Sequence, residues 1–403
     1  MSANNWALFG IALVTGLAAS VGCTANTNAS GNSRDDPWGG VEIAAAGSVQ
    51  VGLLTSEGDT LVGNDAKEQQ RGAELAVADH GPINGFPVTL VPVNAPCSGD
   101  GGVSAATLIT KNQSITAAVG PSCNSACVES SALFESAHLL AISGSCGIDE
   151  LTQPSGHPEG FLRTVHSDLS EGSLAATFAY LELGKRRAAI LSYGSVDSQD
   201  FVSSFSERMN ALGGVVVANI QVVKHQADFE IPMRALLSNR PDVIYAPLLP
   251  SDAAQFVRFR HSSDQEALPI IGNRYYWSRW FLGSVGEPVT NVYASGPYLT
   301  RTEYGNISSE YVQTYNEPPS NTTFAYAYDA TFVLLQALDR ASTVGSSKTM
   351  FIGRKALLEA INGTTGYQGV TGILTCTDWG DCSVTSIAIG SIENGDWRTV
   401  FIP

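Results

Sequence analysis

Seven cysteines carry the most distinctive chemistry of this 403-residue chain, and their placement divides them into one and six. Cys23 stands alone, behind the small residues Ser20, Val21 and Gly22, at the end of an apolar stretch from Trp6 that holds no charged residue. The other six, Cys97, Cys123, Cys127, Cys146, Cys376 and Cys382, form an even set suited to disulfides in an oxidising compartment. Their pairing stays open at this stage, because six cysteines allow many connectivities. One pair is local: Cys376 and Cys382 flank Thr377-Asp378-Trp379-Gly380-Asp381, a turn-like segment between two β-type runs, where a bridge would staple a hairpin. No metal is expected, since Cys123 and Cys127 are spaced CxxxC with no histidine near them.

Catalytic frameworks are missing from the sequence. It contains no HExxH, GxSxG or Walker A pattern, and His80, His138, His157, His166, His225 and His261 lie scattered without ligand spacing. Ser145 beside Cys146 joins two nucleophilic residue types, yet no histidine can be assigned to activate either. Neither enzymatic activity nor a cofactor is expected. A net charge of −16 argues against nucleic acid as a partner, and the one basic cluster, Lys185-Arg186-Arg187, falls where a helix gives way to a strand and reads as a solvated turn.

The apolar run before Cys23 has the length of a signal-peptide core and falls short of the ~20 residues a membrane-spanning helix needs. Residues 1–22 are expected to be a signal peptide. Ser20-Val21-Gly22-Cys23 resembles the lipobox of bacterial lipoproteins, which implies that Cys23 is acylated, becomes the mature N-terminus and holds the protein to a membrane outside the cytoplasm. Two positions depart from that pattern: no Lys or Arg precedes Trp6, and Ser20 stands where Leu is usual. An ordinary secretory peptide cut nearby, leaving Cys23 free or paired, is the alternative. Residues 23–47, rich in Asn, Ser, Gly, Ala and Asp, are expected to form a flexible tether.

With 44 % hydrophobic and 15 % charged residues, the remainder reads as globular, and about 380 residues exceed what one core normally serves. From Val49 onward, short β-branched runs alternate with helical patterns. Strands are expected at Val49 to Leu54, Val88 to Val91, Ile115 to Val119 and Leu139 to Ser143, with helices from Asn64 to about His80, Val103 to Thr110 and Ser125 to Ser136. A second series follows. Its helices are Ser170 to Leu183, Ser198 to Leu212, Pro232 to Ser238 and Ser251 to Arg260; its strands are Ala188 to Ser192, Val215 to Val222, Val243 to Ala246 and Ile270 to Gly272. Alternation of this kind implies parallel sheets covered on both faces.

Several short segments, in order, resemble the type I periplasmic binding proteins, specifically the branched-chain amino acid (Leu/Ile/Val) substrate-binding family of ABC transporters. They are Arg71-Gly72-Ala73-Glu74-Leu75-Ala76-Val77, Ile83-Asn84-Gly85, Ala118-Val119-Gly120-Pro121-Ser122-Cys123, Phe161-Leu162-Arg163-Thr164-Val165, Pro241-Asp242-Val243-Ile244-Tyr245, Tyr328-Asp329-Ala330 and Val370-Thr371-Gly372-Ile373-Leu374 with Gly380-Asp381. The resemblance implies an α/β fold of two doubly wound, Rossmann-like lobes joined by three hinge crossovers. These are expected near Val165, near Ala294 to Pro297 and near Gly372, giving residues 48–165 plus 297–372 as one lobe and 166–296 plus 373–403 as the other. It also implies a monomer that delivers a small molecule to an ABC permease, and a Cys97–Cys123 disulfide beside the pocket, which leaves Cys127 and Cys146 for a second.

Ligand should meet the carboxyl ends of the strands, where loops enter helix N-termini. In the first lobe this nominates Ser122, Asn124, Ser125, Ser145, Cys146 and Gly147; in the second, the family resemblance implies sites at Asp197, Leu249 and Arg274, with Tyr193 and Tyr275 as replacement aromatic walls. The chain departs from the family at key positions: Asn124 and Gly147 stand where loop hydroxyls are usual, and Arg274 near the acid that pairs with a ligand ammonium. A buried guanidinium disfavours an ordinary α-amino acid unless a carboxylate compensates. The expected ligand is small and polar or carboxylated, with Arg274 and the Asn124 helix end contacting its oxygens. A sensing or protein-docking lipoprotein of the same fold is the alternative.

Overall fold

The computed structural model describes residues 35–403 apart from 63, 264, 287 and 288. Cys23, the signal peptide and residues 23–34 of the expected tether lie outside the described residues.

Two sheets organise the chain. The first has five parallel strands in the order Val88–Asn94, Val49–Thr55, Ile115–Val119, Ala141–Ser143, Phe161–Arg163. Ile115–Val119 is buried along its whole length, as a parallel strand covered on both faces must be. Apolar clusters fill both sides: Val51, Leu53 and Val119 pack toward the helices Thr323–Ala341 and Arg354–Asn362, while Leu54, Ile115 and Ala118 pack toward Gly99–Lys111 and Asn124–Ser136. Gly102 in this last pair is required by contact, since a Cβ there would strike the Ala126 carbonyl.

The second sheet has seven strands, ordered Asp396–Phe401, Ile387–Glu393, Val292–Pro297, Ile270–Gly272, Val243–Tyr245, Arg187–Tyr193, Val215–Val222. Five of its strands run parallel; Ile387–Glu393 joins them antiparallel, and Asp396–Phe401 pairs antiparallel with Ile387–Glu393. In both sheets the strand order reverses beside the first strand of the series, at Val49–Thr55 and at Arg187–Tyr193. The crevice outside those carboxyl ends is where open α/β sheets hold ligands.

Helices begin earlier than periodicity suggests. The helix expected from Ser170 runs Asp168–Leu181, capped by the Ser167 hydroxyl accepting from the Leu169 N–H, and the next starts at Val196. Two segments differ in kind. Gly40–Ile43, expected as tether, is a strand antiparallel to Met350–Gly353. Val41 and Ile43 alternate into the first lobe's core, and Asp36 caps the helix Arg354–Asn362 by accepting from Lys355 and Ala356 N–H. The stretch after Gly372 also stays with the first lobe: Leu374, Cys376 and Cys382 lie in its core, and Arg163 exchanges backbone hydrogen bonds with Gly380 and Cys382. The chain reaches the second sheet only with the strand Ile387–Glu393.

Cys97 is bonded to Cys123, Cys127 to Cys146 and Cys376 to Cys382. Among the described residues no helix is long and apolar enough to cross a membrane.

Candidate binding cleft

The loops at the carboxyl ends of the two sheets face each other, and their polar side chains meet. At the centre lies Arg274, which follows the strand Ile270–Gly272 of the second lobe. Its Nη1 donates to Asp168 Oδ1 at 2.6 Å and to Glu171 Oε1 at 2.7 Å, and its Nη2 donates across the cleft to the Ser145 carbonyl at 3.0 Å. The guanidinium lies 4.9 Å from the Tyr275 ring centroid and 5.3 Å from that of Phe201. Asp168 and Glu171 occupy the first turn of helix Asp168–Leu181, three residues apart and so on one face, and neither side chain is exposed.

Both carboxylates have further partners. Glu171 Oε2 accepts from the Arg274 backbone N–H at 2.8 Å and the Ser295 hydroxyl at 2.8 Å, while Oε1 lies 2.7 Å from His166 Nε2. Asp168 Oδ2 accepts from Asn124 Nδ2 at 2.6 Å, joining the second lobe to the first at the start of helix Asn124–Ser136. One guanidinium serves two buried acids, and they divide accordingly. Burial alone would raise Glu171, but Arg274 and the His166 hydrogen bond bring it down to about 2. Burial raises Asp168 against the pull of Arg274, and the Glu171 charge adds to the rise.

Gly147 belongs to the same arrangement. A Cβ on Gly147 would collide with Asp168 Oδ1, and the Gly147 carbonyl accepts from the Asp168 N–H at 2.9 Å. The position expected to carry a ligand hydroxyl is bare because the protein's own carboxylate fills the space.

A second contact lies toward the rim. Asp197 Oδ1 accepts from the Ser125 N–H at 2.9 Å, and its other oxygen pairs with Lys224 Nζ at 2.7 Å; Lys224 also donates to the Cys97 carbonyl at 2.7 Å. Beside it, Val62 and the Cys97–Cys123 bridge join the second lobe's apolar cluster with Leu248 and Leu249. Farther along, the Asp149 N–H donates to Asp200 Oδ2 at 2.7 Å.

What remains open at the centre is a cavity of ≈ 20 Å³ lined by Asp65, Ser145, Arg274, Tyr275, Asn321, Thr323 and Tyr326 among others. That is room for about one water. Asp65, hydrogen-bonded by Asn321, is pushed up to about 7 by burial, with Glu68 adding to the rise.

The residues nominated from sequence therefore fall into three groups. Asn124, Ser145, Gly147, Arg274 and Tyr275 meet at the centre, but Arg274 and Asn124 are engaged by Asp168. Ser125 and Asp197 form the rim contact. Ser122, Cys146 and Leu249 are buried behind the walls: Ser122 bonds Gln69, Cys146 its disulfide, and the Leu249 N–H donates to the hydroxyl of Tyr193, which donates to Asp252 at 2.8 Å and lines a rim pocket beside Ser125 and Asp197. Asp168, Glu171, His166, Lys224 and Asp65 were not nominated. The only local signal was Ser167-Asp168-x-x-Glu171 ahead of an apolar run, a pattern that ordinarily marks helix capping.

Comparison with known proteins agrees with this architecture. The chain belongs to the periplasmic binding protein family, whose model matches residues 48–383. A leucine-binding protein from Thermotoga maritima superposes with a TM-score of 0.78 at 21 % identity, covering 88 % of this chain and 99 % of that one. The branched-chain amino acid transporter substrate-binding protein of Streptococcus pneumoniae, solved with isoleucine, gives 0.78 at 20 % identity over 88 % and 99 %. A solute-binding protein of an R. palustris ABC transporter, solved with benzoate, gives 0.78 at 18 % over 88 % and 96 %. An amino acid binding protein of Pseudomonas aeruginosa is 23 % identical over 191 residues, 47 % of this chain and 50 % of that protein, so the match spans half the relative's length.

Proposed function

We propose that this protein is an extracytoplasmic solute-binding component of an ABC transporter, which closes its two lobes over a small polar solute and presents it to a permease. The observation that carries this reading is the meeting of opposed loops at the carboxyl ends of two doubly wound sheets, with hydrogen bonds from Asn124 to Asp168 and from Arg274 to Ser145 crossing between lobes. Such contacts are made only when the lobes close, so a solute that touches both shifts the population toward closure. Family membership and the solutes named for the solved relatives support the transport context. Acylation of Cys23 would hold the protein at a bacterial membrane, as a monomer.

The test is a thermal-shift screen of the purified chain against amino acids, amides, carboxylic acids and aromatic acids, followed by calorimetry on any hit. A solute that binds the folded state raises the melting temperature by linkage. If no small molecule shifts the transition, solute capture is wrong. The ≈ 20 Å³ left at the centre of the cleft favours a second reading, a closed sensing or protein-docking lipoprotein. A screen without hits, combined with unchanged small-angle scattering on adding solutes, would select it.

A further inference from the structure

We propose that the centre of the cleft is a guanidinium-binding site and that the chain fills it with its own Arg274, so that the closed form is liganded from within. This rests on the reading of the cleft as a solute site. Five groups surround the guanidinium as they would a bound cation. Asp168 and Glu171 accept from Nη1 at 2.6 and 2.7 Å, the Ser145 carbonyl accepts from Nη2 at 3.0 Å, and the Phe201 and Tyr275 rings lie 5.3 and 4.9 Å away. The acceptors engage both terminal nitrogens of the planar group, two acids on Nη1 and a carbonyl on Nη2, whereas an ammonium presents a single nitrogen.

Three observations separate this from an incidental ion pair. The acids are fully buried and the Arg274 side chain is only 8 % exposed, so the cluster lies where a solute would be enclosed. Gly147 is bare where Asp168 needs the space, which makes the acid part of the site's shape. The acceptors also outnumber the charge they serve: two carboxylates face one cation, and the buried Asn124 Oδ1 has no hydrogen-bond partner. A carboxylated solute entering here would compete with two buried carboxyl groups for the same guanidinium donors. The site is therefore built for a donor-rich cation and against carboxylates, the opposite of a pocket whose arginine is free to receive an anion.

A group attached to the chain competes at an effective concentration on the order of millimolar, so a free guanidinium compound below that level leaves the wild type unaffected. Replacing Arg274 exposes the site. Calorimetry and thermal melts of the full-length wild type and Arg274→Ala, purified in detergent, with methylguanidinium chloride and sodium acetate as probes, test this. Arg274→Ala should melt lower than wild type, bind methylguanidinium at least roughly tenfold more tightly than wild type does, and recover melting temperature with it but not with acetate. Glu171→Gln added to Arg274→Ala should abolish that binding.

A folded Arg274→Ala that binds methylguanidinium no better than wild type, or binds acetate as well, overturns the proposal. If Arg274→Ala shows no cooperative melt, its restoration by methylguanidinium supports the proposal and failure to restore it overturns it. Methylguanidinium binding by the variant, with a wild-type screen that finds no solute, would leave this inference standing and remove the transport reading. Wild-type binding of a carboxylate that Arg274→Ala loses would do the reverse.

Discussion

The second lobe reaches the amino end of helix Asn124–Ser136 twice, and the two contacts differ in their access to water. At the centre Asn124 meets Asp168 inside a cluster whose acids are unexposed. One residue on, the Ser125 N–H meets Asp197, itself buried, whose partner Lys224 keeps 23 % of its side chain exposed. The chemistry is similar: a carboxylate, a cation and a helix N-terminus. At the rim, water that reaches Lys224 screens the pair, so it is weaker than the central one. At the centre the acids have no such access to water, and every atom left unpaired retains its full desolvation cost. Charge count alone would rank the two contacts equal; burial decides which one governs closure.

Glu171→Ala should expose this difference most strongly. It removes the carboxylate that serves Arg274, His166 and Ser295, and should cost about 3–5 kcal/mol in urea unfolding. A loss near that of a surface pair would erase the distinction. Asn124→Ala should cost about 1.5–3 kcal/mol by stripping a hydrogen bond from a buried carboxylate, and should loosen the lobes in small-angle scattering. If stability falls but scattering does not change, Asn124 supports one lobe without joining two.

Asp65 sharpens the comparison from the first lobe. Its ordinary value of 3.8 is raised to about 7 in the folded protein, chiefly by burial. The folded state then keeps a proton that the unfolded chain releases. Its contribution to stability is fully present below pH 3.8 and is lost as pH rises through about 7. Asp65→Asn should lack that decline, so urea midpoints at pH 5 and pH 8 should differ less in the variant than in wild type. Parallel curves would place Asp65 outside the buried network. Lys224→Ala should have the smallest effect, within about 1 kcal/mol and smaller still in added salt.

Much of the architecture was legible because it rests on local pattern. The run Ile115–Val119 reads as a strand covered on both faces from its composition alone, and loops such as Gly120 to Asn124 follow directly from where such strands end. Asn124, Ser145 and Gly147 were reachable by that route, and Arg274 through the family resemblance. Their partners were not, because Asp168 stands 106 positions from Arg274 and acids in a helix's first turn are ordinary features that favour the macrodipole. The role of Gly147 was likewise hidden: a glycine where a hydroxyl is expected reads as an absence until the carboxylate filling the space is located. Gly40–Ile43 escaped because four residues of strand in a polar tract carry too little periodicity to register, and their pairing partner lies at Met350–Gly353.

That short strand assigns unequal roles to the two halves of the molecule. Asp36 and Gly40–Ile43 bind the incoming chain to the first lobe, on the elements Met350–Gly353 and Arg354–Asn362. With Cys23 acylated as proposed, 13 residue steps separate the lipid from that dock, a leash of at most roughly 45 Å in any conformation. The first lobe would then be the stator held near the bilayer, and the second the arm that swings.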